Sequence, residues 1–406
     1  MHREVHTHLE TCMRILGLDI SKSSVCACLL ADRPLEPRKF YYEYKFYRFG
    51  ADAAGIKAML ALKPDIAVME PTGVNYARLW GTHLARAGIE IRLVGHKQLR
   101  SYREHLGFTD KDDDTDALAL ACYLFDYQEE TRRFVQIRDY TITRMRELVL
   151  RLAHLNRVQS PIINRLRQDL AWQFPEAALV RSVYTGKNDV PLLWGWIAGE
   201  RSSNRYDRLY AQTVGEGIKP TVRYHAKRLC DLQREERAIE QELKQLLAEP
   251  QFIKYHQVFA RFGFGDRVSA ILLSQIYPLE NYLGADGKPE VKIRPGRKSG
   301  KPTKRHLSLR RFQKALGVAP SLESSGDSHK TKVVGGSDLC RMALWQWVFT
   351  RIEPQRRRLK NQIGEVLGNE LDKEKAQGRS VRLVRSRICA KAARLLFKEL
   401  VRQLLE

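Results

Sequence analysis

The chain has 406 residues, 43 % of them hydrophobic, which predicts two or three domains with enough apolar material for their cores. Lys and Arg total 70 against 47 Asp and Glu, so the formal net charge is +23. This excess indicates a polyanionic partner, because each phosphate that a basic side chain contacts releases counterions. The apolar run at 118–125 is too short to span a bilayer, so we expect no membrane partner.

Seven cysteines are scattered along the chain, and no pair has the spacing of a zinc knuckle. Cys26 and Cys28 alternate with apolar residues, as on one face of a strand. This usage predicts reduced thiols. The N-terminal sequence MHREVHTHLETC contains no apolar signal core. We therefore expect a cytoplasmic protein.

The first region, 1–134, alternates predicted strands and helices. Three strands come first, close enough together for an antiparallel meander, and are followed by helix, strand, helix, strand and further helices. The predicted strands are 13–21, 25–30, 40–49, 65–70 and 90–94, and the predicted helices are 51–62 and 75–87. This order is typical of an α/β RNase H-like (RuvC-like) domain.

The second region, 135–250, has the apolar spacing of helices at 144–170 and 222–247, and we predict a long antiparallel hairpin. Pro161 lies inside the first helix, where proline can introduce a kink. The stretch 183–212 between the two helices supports no assignment.

The third region, 251–406, is predicted to be a mostly α-helical domain with a basic tail at 351–406. Gly263 and Gly265 precede an apolar helix at 268–276, as in a helix–hairpin–helix turn. Residues 284–311 predict a flexible basic loop that contacts nucleic acid; a solvated linker is the alternative. The cations expected to make these contacts are Lys301, Lys304, Arg305, Arg310 and Arg311.

Acidic residues stand out at three places in the first region. Asp19 lies within an apolar strand, where burying a lone charge is costly, so its presence indicates a functional role. Glu70 ends the fourth predicted strand, which neighbours the first strand in an RNase H-like sheet. The run KDDDTD at 111–116 opens a helix. Clustered carboxylates can hold Mg²⁺ or Mn²⁺, and two such ions suit phosphoryl transfer.

The apolar face of that helix favours two of its acids. Ala117, Leu120, Ala121 and Leu124 define the face, Asp113 projects along it, and Asp116 is one turn from Asp113. The two remaining acids, Asp112 and Asp114, point to the sides and suit capping of the helix N-terminus.

Four segments resemble the DEDD transposases of bacterial insertion sequences, of the IS110 group. They are GLDISKSS at 17–24, MEPTGVNYARLW at 69–80, LVGHKQLRSYREHLGFTDKDDDTDALALA at 93–121 and ALGVAPSLESSGDS at 315–328. The chain departs from the family pattern in three ways. Asp112 replaces the family's threonine, the loop at 284–311 looks longer than in other members, and the segment GGSDLCRMALW lacks the family's Lys-Arg-Gly motif.

The resemblance implies a metal-binding and catalytic tetrad of Asp19, Glu70, Asp113 and Asp116, and a serine nucleophile at Ser325, with Ser324 as the alternative. It also implies a recombinase that cuts and rejoins DNA, guided by a structured bridge RNA. A C-terminal transposase domain would complete the active site, and the protein would act as a homo-oligomer, a dimer or a tetramer.

Two other interpretations stay open. The first is a metal-dependent nuclease or Holliday-junction resolvase of the same fold, with water as the nucleophile. The second is a non-catalytic nucleic-acid-binding protein. A covalent protein–DNA adduct distinguishes the serine route from the water route, and metal-dependent strand cleavage excludes the non-catalytic interpretation.

Overall fold

The computed structural model describes residues 13–71, 75–185, 188–296, 300–325, 328–333 and 335–405, with the backbone alone over 321–325 and 328–332. The chain forms two compact units, Met1–Arg138 and Asp139–Glu406. The boundary between them lies near the predicted one at 134/135. The further domain boundary predicted at 250/251 stays a prediction.

The first unit contains a five-stranded sheet in the order β3-β2-β1-β4-β5. The first three strands are antiparallel neighbours, whereas β4 and β5 run parallel to β1. This mixed topology confirms the RNase H-like fold predicted from the element order. Its elements are β1 (Ile15–Ile20), β2 (Ser24–Leu30), α1 (Pro37–Glu43), β3 (Tyr47–Gly50), α2 (Ala53–Leu60), β4 (Ile66–Met69), α3 (Tyr76–Arg86), β5 (Glu90–Leu93), α4 (His96–His105) and α5 (Asp113–Tyr127).

The two faces of the sheet carry separate cores because alternate residues of a strand point to opposite sides. On one face Ile15 and Val68 pack with the buried helix α5, in a core shared with Cys26 and Cys28. On the other face Leu16 and Leu18 pack with residues of α2 and α3, including Met59 and Trp80.

The third strand is shorter than predicted, because the first half of 40–49 forms helix α1. Pro37 occupies the first turn of α1, where its missing N–H costs nothing. Phe40 and Tyr44, one turn apart, stack at 4.8 Å between ring centroids, and the Tyr44 hydroxyl donates to the carbonyl of Leu29 in β2. Aromatic residues that suggest a strand therefore pack a helix against the sheet.

The second unit contains the predicted antiparallel hairpin, formed by α6 (Tyr140–Gln173) and α10 (Pro220–Leu247). Arg144 of α6 binds Glu242 of α10, and Arg151 binds Glu235, so the two helices run in opposite directions. Pro161 lies within α6 without ending it.

The stretch that the sequence left unassigned forms two short helices, α8 (Leu192–Ala198) and α9 (Asn204–Ala211). They pack in one core with the C-terminal half of α6 and the N-terminal half of α10. Other helices are α7 (Pro175–Ala178), α11 (Ile253–Arg261), α12 (Asp266–Ile276), α13 (Leu307–Ala315), α14 (Asp338–Trp347), α15 (Gln362–Ala376) and α16 (Val381–Leu405). Gly263 and Gly265 lie in the turn between α11 and α12, where the helix–hairpin–helix turn was predicted.

The described residues of the basic segment 284–311 include two paired strands and the start of a helix, which corrects the prediction of a flexible loop. β6 (Val291–Pro295) pairs with β7 (Pro302–His306), and α13 begins directly after β7. We call the pair β6–β7 the basic hairpin. Nearly all of its residues are solvent-exposed. The alternation of basic and β-branched residues supports this pairing, whereas its Gly, Pro and Lys content suggested a loop.

The remaining strands, β8 (Pro320–Ser325) and β9 (Ser328–Val333), form a second antiparallel hairpin. Within the described residues, no helix combines the length and the apolar character needed to span a membrane.

Candidate active site

A row of polar side chains crosses the sheet of the first unit. Asp19 of β1 pairs with Cys26 of β2, which pairs with Arg48 of β3. On the other side Leu18 pairs with Met69 of the parallel strand β4, so the next residues, Asp19 and Glu70, lie at the same level. The alternation of the strands directs these side chains to the face that α5 covers. The sheet register therefore brings the first two predicted acids together.

Helix α5 supplies the other two acids. Asp112 is its N-cap, with its side chain accepting from the Thr115 N–H at 2.8 Å, as predicted for a capping acid. Asp113 is the first residue of the helix and is 60 % exposed, whereas Asp116, one turn on, is 3 % exposed. The apolar face used to choose these acids does not distinguish them, because α5 is buried on all sides from Thr115 to Leu124.

The close approach of α5 to β1 depends on Gly17. A Cβ atom at this position would lie 2.1 Å from the Ala117 carbonyl oxygen and 2.8 Å from the Ala121 nitrogen. Only glycine therefore allows the backbone of α5 to lie directly on β1, two residues before Asp19. This contact sets the distance between the acids of the helix and those of the sheet.

The electrostatics of Asp19 show that the other three carboxylates act on it. Burial raises the pKa of Asp19, and the nearby carboxylates of Asp116, Asp113 and Glu70 raise it further, to about 7, while Lys111 opposes the shift. We call these four carboxylates the acid cluster. The surplus of negative charge around Asp19 is the electrostatic condition that a bound cation relieves.

Basic side chains hold two members of the acid cluster. Arg103 of α4 donates to Asp116, and both side chains are buried. The Glu70 carboxylate lies 2.8 Å from Nδ1 of His96, which begins the same helix. A cavity of about 540 Å³ is lined by Glu70, His96, Leu99, Arg100, Arg103, Glu104, Thr109, Lys111 and Asp116. Acidic and basic groups thus share one cleft beside the sheet.

Arg48 of β3 ties the start of α5 to the edge of the sheet. Its guanidinium donates to Asp114 at 2.7 Å and lies 3.8 Å from the carboxylate of Asp113. The Cys26 thiol also donates to Asp114, at 2.9 Å. Asp114 therefore serves contacts within the fold, while Asp113 stays largely accessible.

The acid cluster fits a hard divalent cation in its chemistry. Its donors are all carboxylate oxygens, the ligands that Mg²⁺ and Mn²⁺ prefer, and the pKa of Asp19 is raised by burial and, to a smaller extent, by the neighbouring carboxylates. Among the described residues, no three His, Cys, Asp or Glu side chains stand close enough to enclose an ion. Glu70 and Asp116 instead bind His96 and Arg103. Asp19, Glu70, Asp113 and Asp116 are the residues that would hold a metal.

The predicted serine lies in the second unit. Ser325 is the last residue of β8 and pairs with Ser328 of β9, while Ser324 pairs with His329. Gly326 and Asp327, predicted to form a tight polar turn after the serine, lie outside the described residues.

Four of the five predicted nucleic-acid contacts are exposed, and the fifth is not. Lys301 precedes β7, Lys304 and Arg305 lie on it, and Arg310 lies on α13. The guanidinium of Arg311 points inward, donating to Glu290 and to two backbone carbonyls. Arg311 therefore joins α13 to the preceding segment, which sequence spacing does not reveal.

Sequence reasoning also missed His96, Arg103 and Arg48, which contact the acids. All three lie outside the acidic motifs, and their proximity arises from the packing of α4 and β3. The sequence contained one signal, the basic character of the segment HKQLRSYREH just before the acidic run. Basic residues are too frequent in this chain for that signal to select Arg103.

Comparison with known proteins supports the sequence resemblance. Residues 16–175 match a family model of the IS110 group of DEDD proteins, which is described as a transposase. Among solved structures, the chain is similar to T. thermophilus RuvC in complex with a Holliday junction substrate. The identity is 14 %, the match covers 30 % of this chain and 99 % of that chain, and the TM-score is 0.20. No curated protein sequence matches the chain. The family match contains all four acids, and the residues it covers are similar to the DEDD transposases of the IS110 group.

Proposed function

We propose that this protein is the transposase of a bacterial insertion sequence, which cuts and rejoins DNA under the guidance of a structured bridge RNA. The convergence of Asp19, Glu70, Asp113 and Asp116 carries this proposal. Three of these residues raise the pKa of the fourth, an arrangement that costs stability and is therefore typical of functional sites. The family match over residues 16–175 supports DNA as the substrate.

The acid cluster is the proposed binding site of two Mg²⁺ or Mn²⁺ ions. When bound, two such ions supply Lewis acidity to the scissile phosphate and to its leaving oxygen. Asp19 and Glu70 hold this site from the sheet, and Asp113 and Asp116 hold it from α5.

Ser325 is the proposed nucleophile. Its Oγ forms a bond to the DNA phosphorus while the bond from phosphorus to the 3′ oxygen breaks. The product is a 5′-phosphoserine link, and the serine proton leaves through a carboxylate to the released 3′ oxygen. Ser325 is the last residue of β8. We propose that the serine acts on the acid cluster across protomers of a homo-oligomer.

The bridge RNA is proposed to supply sequence recognition, while the protein contacts backbone and shape. The net charge of +23 supports the simultaneous binding of RNA and DNA by one chain. The exposed basic hairpin is a candidate for such a contact, because a two-stranded ribbon fits the major groove of duplex DNA.

A covalent adduct tests the serine route. The full-length chain, purified with its RNA, is incubated with labelled element-end DNA and Mg²⁺, and the products are resolved on a denaturing protein gel. The parent chain should form a labelled protein–DNA adduct, and Ser325→Ala should form none while retaining DNA and RNA binding. Ser328→Ala, the register partner in β9, is the matched control and should form the adduct.

The other outcomes are distinct. An adduct lost in Ser324→Ala and kept in Ser325→Ala moves the nucleophile by one residue. Cleavage without an adduct in the parent chain supports the water-dependent nuclease instead. Sequencing of RNA that copurifies with the protein from its host tests the guide, and the recovery of only heterogeneous cellular RNA would contradict it.

A further inference from the structure

Arg103 is one of the few charged side chains buried in the described part of the first unit. Its side chain is 8 % exposed and donates to Asp116, which is itself 3 % exposed. The Nε–H of Arg103 is buried as well and has no hydrogen-bond partner. A buried N–H without a partner is costly. The hydrogen bond to Asp116 therefore does not by itself explain why the Arg103 guanidinium is buried.

The surrounding charge supplies the explanation. Asp116 is one of four carboxylates in the acid cluster, and a buried carboxylate without a counter-charge is strongly destabilising. The guanidinium of Arg103 provides that charge, and arginine keeps it at every accessible pH. By contrast His96, the partner of Glu70, is largely exposed. Arg103 is therefore the more tightly held of the two basic partners.

The ion pair lies on the wall of the 540 Å³ cavity, where both Arg103 and Asp116 contribute to the lining. A hydrated cation can therefore approach Asp116 through this cavity. Lys111 and Arg100 line the same cavity.

We propose that Arg103 is a positioning residue that serves as the resident counter-charge of Asp116, and that a divalent cation and the Arg103 guanidinium compete for this carboxylate. This inference rests on the proposed metal-binding function of the acid cluster. Without metal, the ion pair with Arg103 holds the Asp116 side chain in place. A bound divalent cation would replace Arg103 as the positively charged partner of Asp116, and the guanidinium would move into the cavity.

Direct metal binding tests the exchange. MnCl₂ is titrated calorimetrically into the full-length chain after nucleic acid has been removed on heparin at high salt. Arg103→Gln, which is shorter and keeps an N–H donor but no charge, should bind Mn²⁺ about tenfold more tightly, because a positive charge a few Å from the site opposes a cation. Arg103→Lys, which keeps the charge, should stay near the parent affinity. Equal or weaker Mn²⁺ binding by Arg103→Gln would overturn the proposal.

Arg100→Gln is the matched control. Arg100 lies on the same helix and lines the same cavity, but it is exposed and paired with Glu104. Its replacement should leave the Mn²⁺ affinity within about twofold, because an exposed charge is screened by solvent. A gain in Arg100→Gln equal to that in Arg103→Gln would reduce the effect to general cavity charge and contradict a specific exchange.

Thermal unfolding covers the case in which Arg103→Gln is unstable. Mn²⁺ should raise its Tm more than that of the parent, since the ion replaces the lost counter-charge. A variant that stays unfolded at saturating Mn²⁺ would contradict the proposal. Asp19→Asn separates the two hypotheses. If it loses the Mn²⁺ binding of the parent while Arg103→Gln binds as the parent does, the metal site stands and the exchange fails. If neither the parent nor Arg103→Gln binds Mn²⁺, the proposed metal site fails too.

Discussion

The acid cluster and the basic hairpin are built in opposite ways. The acids come from β1, the end of β4 and two positions of α5, and they meet only because the sheet register and the packing of α5 bring them together. The cations of the hairpin are neighbours in sequence, exposed on both faces of two short strands. The proposed metal binding by the acid cluster depends on the position of each carboxylate, whereas the proposed nucleic-acid binding by the basic hairpin depends on the sum of its charges.

This difference predicts how each region responds to substitution. A site that depends on position should lose its function when one member changes, because the remaining ligands cannot move to compensate. A surface that depends on summed charge should weaken in steps, because each phosphate contact contributes separately to binding. Substitutions in the two regions therefore test the comparison directly.

The largest effect is expected for the sheet acids. Asp19→Asn or Glu70→Gln removes one ligand charge without changing size, and we expect DNA cleavage to fall by about a thousandfold or more, which corresponds to several kcal/mol of metal-dependent stabilisation. The measurement is the single-turnover cleavage rate with Mg²⁺. RNA binding by gel shift should be unchanged. Full cleavage by either variant would remove that residue from the site.

A smaller effect is expected within α5. Asp113→Asn should slow cleavage by about ten- to hundredfold, because Asp113 is accessible and its charge is partly screened. Asp112→Asn should change the rate by less than about tenfold, since asparagine also caps helices. Asp114→Asn should be similarly mild, because Asp114 contacts Cys26 and Arg48. Equal losses of cleavage rate in all three variants would show that the three acids act through their summed charge rather than through the position of Asp113.

Gly17→Ala tests whether the fold sets the spacing of the acids. The added Cβ would meet the backbone of α5, and we expect the unfolding free energy to fall by about 1–3 kcal/mol, as in overpacked cores. The measurement is urea unfolding, followed by cleavage assays under conditions where the variant is folded. Gly81→Ala in α3, where the new Cβ would meet only Ile91 Cδ1 at 3.7 Å, is a control for the loss of a glycine. Cleavage by folded Gly17→Ala at the parent rate would show that the acids tolerate a shift of α5.

The smallest single effects are expected for the four exposed cations in and next to the basic hairpin. Replacing Lys301, Lys304, Arg305 or Arg310 by Gln should each weaken nucleic-acid binding severalfold and lower the slope of log K against log salt by about one. The combined variant should show the cumulative change, measured by fluorescence anisotropy at several salt concentrations. Arg311→Gln should instead lower stability, because its guanidinium bonds within the fold. An unchanged slope in the combined variant would identify the hairpin as a spacer.

The sequence predicted much of the first unit because most of its strands can be recognised from the local pattern of apolar and polar residues. β1 and β4 are short apolar segments between polar turns, β5 alternates charged and apolar residues, and Asp19 is the one charged residue of β1. The same local reasoning failed where composition and structure disagree. Aromatic residues suggested a strand where Pro37 starts α1, and Gly, Pro and Lys suggested a loop where β6 and β7 pair. In both places contacts with distant or paired segments outweigh the local preference.

By itself the sequence determined the order of the elements, the helical hairpin of α6 and α10, and the candidate acids. The reason is that the spacing of apolar residues differs between strands and helices. The tertiary structure alone decided which groups the acids meet. The burial of all sides of α5, the need for glycine at position 17 and the pairing of Asp116 with Arg103 depend on segments far apart in the chain. Local spacing carries no information on such contacts, because they arise only when the helices pack on the sheet and the solvent leaves the space between them.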